Sequence, residues 1–95
     1  MAAYIIVNVT INDPSRYDEY KRLAAPTVEA YGGRYIVRGG ETATLEGEWQ
    51  AGRVVVLEFP DSDRAKEWWN SPEYAPAKAI RQAIATTDMI VVDGV

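Results

Sequence analysis

The sequence predicts an α+β fold in the order β-α-β-β-α-β, a four-stranded antiparallel sheet with its helices on one face. Three observations carry that prediction. Residues 3–11 alternate with a period of two, as a strand covered differently on its two sides does. Around 17–31, 65–69 and 77–84, apolar residues recur at three- and four-residue steps, the spacing of helix stripes. Between the first stripe and the second, Tyr31-Gly-Gly-Arg-Tyr-Ile-Val-Arg-Gly-Gly40 encloses a short segment with two glycine pairs. Glycine supplies the positive-φ freedom to leave a helix and then to turn, so that segment holds a helix end, a strand and a turn.

In the first strand Ala3, Ile5, Val7, Val9 and Ile11 share one face, and Tyr4, Ile6, Asn8 and Thr10 the other. Asn12-Asp13-Pro14 stops it and opens a helix, with Asp13 as N-cap and Pro14 at the first helical position. Tyr17, Tyr20, Ala24, Val28 and Tyr31 form its apolar stripe, and Pro26 removes one backbone bond, which predicts a kink. Gly32-Gly33 ends it. The second strand runs from about Arg34 to Arg38, whose even spacing places both guanidiniums on one sheet face.

Residues 41–52, with Glu41, Glu46, Glu48, Trp49 and two glycines, read as an acidic hairpin arm. Arg53 to Phe59 is a β-branched strand with one interior charge, Glu58. Pro60-Asp61-Ser62 opens a second helix whose Ala65, Trp68 and Trp69 share a face. Asn70-Ser71-Pro72 breaks it, Ser71 acting as a cap before a first-turn proline. Pro76 interrupts again before Ala77, Ile80, Ala83 and Ile84 form a last helical stripe, and Thr87 to Asp93 is the final strand.

This order is the split βαβ arrangement of ferredoxin-like folds, with right-handed crossovers. One sheet face then lacks cover, because Ile6, Ile36, Val54, Val56 and Ile90 or their neighbours should not all lie in water. A second copy of the chain is the most economical cover, so a homodimer is expected.

Ninety-five residues, 47% apolar and 25% charged, suit one domain over 1–95 without repeat or linker. A net charge of −4 gives no footprint for nucleic acid. No apolar run is long enough to span a bilayer, and Met1-Ala2-Ala3-Tyr4 lacks a cationic leader start, so no membrane partner is expected. The absence of cysteine excludes disulfides and points to a cytoplasmic address. Without His or Cys there is no Ser-His-Asp triad, no thiolate and no usual zinc shell, and neither metal nor cofactor is expected. Acid–base chemistry would fall to carboxylates, tyrosines or the three lysines, Lys21, Lys66 and Lys78.

Four ordered motifs stand together: the 31–40 segment, Leu45-Glu46-Gly47-Glu48-Trp49, Val56-Leu57-Glu58-Phe59-Pro60 and Trp69-Asn70-Ser71-Pro72-Glu73-Tyr74. Over nearly the whole chain they resemble the domain of unknown function 1330 family, within the dimeric α/β-barrel superfamily. The resemblance implies a ferredoxin-like protomer whose sheet packs on a partner's sheet to close a barrel. It implies no activity. Superfamily relatives include cofactor-free monooxygenases, haem proteins and small-molecule isomerases, and this chain lacks the histidine that haem ligation uses.

Candidate ligand-binding residues are Arg38, Glu58, Tyr4, Asn8, Tyr17, Tyr20, Trp69, Ser71 and Tyr74, with Trp49 and Arg34 as dimer contacts. Arg38 and Glu58 lie on strands joined by the arm and face each other if it pairs normally. Two roles fit: an anion anchor oriented by Glu58, or a structural ion pair that fixes register or the dimer seam. Adjacent tryptophans in a helix point about 100° apart, so one of Trp68 and Trp69 belongs to the core and the other to a rim. A cap already explains Ser71, and no base stands by to make it a nucleophile. Tyr4, Asn8, Tyr17, Tyr20 and Tyr35 either line a cleft between helices and sheet or pack with satisfied hydroxyls. An exposed Trp49 reaches over the other protomer or caps a pocket mouth.

Three functions fit these residues. One is a homodimer that binds a small organic molecule, anionic in the leading form, in that cleft. Another is a cofactor-independent oxygenase or isomerase, in which Arg38 stabilises negative charge and Glu58 or a tyrosine moves a proton. The last is a non-catalytic assembly module.

Overall fold

The computed structural model describes residues 1–95. In chain order the elements are β1 (Ala3–Ile11), α1 (Pro14–Ala30), β2 (Arg34–Arg38), β3 (Arg53–Phe59), α2 (Ser62–Trp69), α3 (Ala75–Ile84) and β4 (Ala85–Asp93). The strands form one antiparallel sheet in the order β2-β3-β1-β4, the ferredoxin-like topology. No helix is long and apolar enough to cross a membrane.

The helices start where side chains satisfy their orphan N–H groups. Asp13 accepts from the Arg16 amide at 3.3 Å, and Asp61 from the Arg64 amide at 2.7 Å. Pro26 does not divide α1, which runs as one element to Ala30. Pro76 does not interrupt a helix either. It lies in the first turn of α3, where its missing N–H has no helical partner to lose. β4 begins at Ala85 rather than Thr87, because Ala85 passes directly from the helix into extended backbone (φ −147°, ψ 154°).

Alternation sorts the sheet into two faces. Ala3, Ile5, Val7 and Val9 of β1, with Val55, Leu57 and Phe59 of β3, are buried beneath the helices. There Trp68 stacks between Phe59 and Tyr74, at centroid distances of 5.6 and 4.1 Å. Each of these fully buried rings contributes roughly 1.5–3 kcal/mol of transfer free energy. The pairs Tyr4–Glu58, Ile6–Val56 and Asn8–Val54 point the other way, onto a face no helix covers. Val37, Ile90 and Val92 are exposed there beside them.

One irregularity decides where the arginines go. β2 pairs with β3 through Arg34–Glu58 and Tyr35–Leu57, then through Val37–Val56 and Arg38–Val55, so Ile36 is an extra residue in a bulge. An unbroken strand would put Arg34 and Arg38 on one face. The bulge reverses the parity: Arg34 faces outward with Glu58, and Arg38 faces the helices with Val55.

Candidate functional site

The helix face of the sheet gathers three arginines. Arg38 is turned inward by the bulge and lies 4.2 Å from the Tyr35 ring centroid. Arg53 shares the phase of Val55, Leu57 and Phe59, and its guanidinium stands 5.6 Å from the Tyr17 ring. Arg81 occupies the inward stripe of α3 with Ala77 and Ile84, and is only 5% exposed. Tyr17 and Tyr20 of α1 and Tyr35 of β2 complete a narrow cleft around them, about 20 Å³ in volume.

Gly39 makes room for this arrangement. Its φ of +73° turns the chain back after β2, and its N–H donates to the Val54 carbonyl at 2.8 Å. A Cβ at that position would collide with the Arg53 guanidinium. The positive φ is what calls for glycine there, since the guanidinium is the end of a flexible side chain and could move aside.

None of these cations has a carboxylate partner. The ion pairs of the molecule are Arg16–Glu19, Lys21–Asp18, Arg34–Glu58 and Arg64–Glu67. Arg53 Nε is buried with no hydrogen-bond partner. Arg81 Nε reaches only the Tyr74 hydroxyl, at a long 3.4 Å, and Tyr74 shares a 2.8 Å bond with Tyr20. Burial pushes the Tyr20 phenol well above its ordinary range, and the neighbouring Tyr74 adds to that. Burial also raises Tyr17 and Tyr35, with Arg53 and Arg38 respectively opposing it. The cleft therefore offers fixed positive charge and neutral phenols, and no carboxylate that could act as a base.

A larger cavity, about 530 Å³, opens between α2, α3 and β4. Arg81 and Met89 line it as well as the narrow cleft, so the two spaces share a wall. Its sides include Trp69, Lys66, Gln82 and Thr87. No group of three or more Asp or Glu side chains is placed to hold a metal ion.

The structure divides the residues singled out by the sequence. Tyr17, Tyr20 and Arg38 meet in the cleft, and Trp69 borders the larger cavity. Glu58 does not pair with Arg38. It lies on the outer face, where Arg34 Nε donates to it at 2.6 Å and the Tyr4 hydroxyl at 3.2 Å. The Arg34 hydrogen bond holds the Glu58 carboxyl below its ordinary range, against the smaller effect of burial. A carboxyl so placed cannot serve as base to a ligand under the helices. Arg34, read from the sequence as a dimer contact, is thus the arginine that pairs with Glu58.

Tyr4 and Asn8 also belong to the outer face, and Asn8 Oδ1 accepts from the Gly52 amide at 2.9 Å. Ser71 is buried in its own turn, donating to the Trp68 carbonyl at 2.7 Å and accepting from the Tyr74 amide at 3.1 Å, so its hydroxyl is committed. Tyr74 is fully buried behind the cleft. Trp68 is core and Trp69 rim, and Ala65 packs in the core while lining the larger cavity beside Trp69. Trp49 is exposed on the arm.

Arg53 and Arg81 were not among the sequence candidates, although a signal existed. Arg53 is an even number of residues from Leu57, and Arg81 stands four after Ala77 and three before Ile84. Each is a charge on an apolar stripe.

The residues and their folding now match a known group over nearly the full chain. The protein belongs to the family described as domain of unknown function DUF1330, which it matches over residues 2–95. No curated protein matches the chain. Among solved structures, a protein of unknown function from Rhodopseudomonas palustris is 20% identical with a TM-score of 0.82, covering 99% of this chain and 82% of that one. SnoaB, a cofactor-independent oxygenase from Streptomyces nogalater, is 15% identical with a TM-score of 0.69, covering 99% and 93%. A dimeric ferredoxin-like protein of unknown function from Jannaschia sp. CCS1 is 12% identical with a TM-score of 0.67, covering 99% and 100%. At these identities the likeness is one of fold.

Proposed function

We propose that this DUF1330 protein binds a small organic anion on the helix side of its sheet and works as a homodimer. The observation that carries the binding reading is the set of cations without partners: Arg38, Arg53 and Arg81 converge on one cleft with no carboxylate within 4 Å. Burying a cation without an anion is costly, so buried Arg81 and half-buried Arg53, with exposed Arg38 at the mouth of the cleft, are suited to an anion supplied from outside. Guanidinium forks and neutral phenols are matched donors for a carboxylate or an enolate.

The dimer reading rests on the uncovered apolar face bearing Val37, Ile90 and Val92, and on the dimeric relative of the same fold. Sedimentation at micromolar concentration tests it, and a monomer there would remove it.

An oxygenase reading has the likeness to SnoaB in its favour. The cleft limits that chemistry. It can stabilise negative charge on a bound molecule but holds no base to create it.

A thermal-shift screen with aromatic and dicarboxylic acids tests the binding reading. At a hundredfold excess over Kd a bound acid adds about 2.7 kcal/mol of stability. Arg38→Gln is expected to abolish the shift while the protein stays folded. An unchanged shift in that variant, or no hit over the panel, counts against the site.

A further inference from the structure

We infer that the bound molecule has two parts: an acid group held at Arg81, and a flat apolar body of fused-ring size lodged in the larger cavity against Trp69. This rests on the anion-binding reading and adds the class of ligand. Volume is the first argument. The cleft among the arginines, about 20 Å³, has room for about one water, so an organic acid can reach into it with no more than a single acid oxygen. The adjoining cavity, about 530 Å³, is of the size that takes a whole small molecule.

Position is the second argument. Arg81 lines both spaces, is nine-tenths buried, and has a single long hydrogen bond to Tyr74. Two cations line the larger cavity, and of these Lys66 is exposed to solvent while Arg81 is buried, so Arg81 is the one whose charge lacks both water and an anionic partner. Thr87 lines the same cavity, and its hydroxyl oxygen is buried without a partner.

The third argument is the wall. Seven of the twelve lining residues are hydrophobic, which suits an apolar body rather than a sugar or a peptide. Trp69 is held in place by Lys78, whose ammonium lies 3.9 Å from the ring centroid and donates to the Trp69 carbonyl at 3.0 Å. A fixed indole presents a flat surface, and aromatic pairs favour offset stacking.

Titration calorimetry with sodium acetate and sodium 2-naphthoate tests the inference, acetate representing the head alone. In the native protein naphthoate is expected to bind about a hundredfold tighter than acetate, from the apolar area it buries. Gln82→Trp blocks the cavity from an exposed position, and Trp69→Ala removes its wall. Each is expected to bring that ratio below about tenfold while acetate binding stays within about twofold. Arg81→Met is expected to weaken both acids. Equal affinity for the two acids, or naphthoate binding untouched by Gln82→Trp and Trp69→Ala, overturns the two-part ligand and leaves the anion site standing. If neither acid binds, the anion site falls and this inference with it.

Discussion

The two faces of the sheet use the same residue types to opposite ends. On the outer face Arg34, Glu58 and Tyr4 form a closed set, each hydrogen-bonded to another. On the helix face Arg38, Arg53 and Arg81 stand among tyrosines with no carboxylate at hand. A satisfied pair fixes structure and asks nothing of a ligand. Unsatisfied buried donors cost the fold free energy and are kept where something outside completes them. The difference teaches that pairing, rather than the presence of charge, separates scaffold from site in this molecule.

The strongest way to break the comparison is to move one cation across the sheet. Val37 and Arg38 are adjacent in β2 and point to opposite faces. Exchanging them (Val37→Arg with Arg38→Val) keeps composition and transfers the guanidinium to the outer face. Loss of a charge-assisted hydrogen bond of about 1.5–3 kcal/mol predicts about a tenfold to hundredfold drop in acid affinity. Calorimetry on the exchanged protein reads this directly. Undiminished affinity would mean that Arg38 does not touch the ligand.

The exchange also marks where the sequence stopped being legible. Periodicity, caps and glycine pairs gave the order of elements along the chain and nearly all of their limits, because each of those signals is local. The Ile36 bulge is not local. Nothing in Ile36-Val37 announces it, and one extra residue sends Arg38 to the helix face, while the β2–β3 register, equally invisible in the sequence, sets Arg34 opposite Glu58. Tyr4 and Asn8 were legible as outward-facing, since they alternate with the core stripe of β1. The roles of Arg53 and Arg81 were legible in principle, since both interrupt apolar stripes. The larger cavity was not, because it arises from the packing of α2 and α3 against the edge strand β4.

A middle-sized effect follows from the buried Nε of Arg53. Removing an unsatisfied buried donor relieves its desolvation, so Arg53→Met is expected to stabilise the ligand-free protein by about 1 kcal/mol. Urea denaturation measures this, and the same variant is expected to lose the stabilising response to acids. The opposite signs are the point. A variant that became less stable and still bound acids would place Arg53 with the scaffold, beside Arg34.

The smallest effect belongs to the outer pair. Arg34 holds the Glu58 carboxyl below the range it has in the unfolded chain. A depressed carboxyl contributes stability that is present above the unfolded value, about 4.3 for glutamate, and lost as pH falls through the lower folded value. Glu58→Gln is therefore expected to lower the melting temperature slightly near neutrality, with the gap to the native protein closing as the solution is acidified. Both side chains keep solvent access, so the gap is that of a surface pair. Acid affinity in Glu58→Gln is expected to match the native protein. A gap that persisted at low pH would assign the effect to packing instead of charge, and a loss of acid affinity would show that the outer face contributes to the site after all.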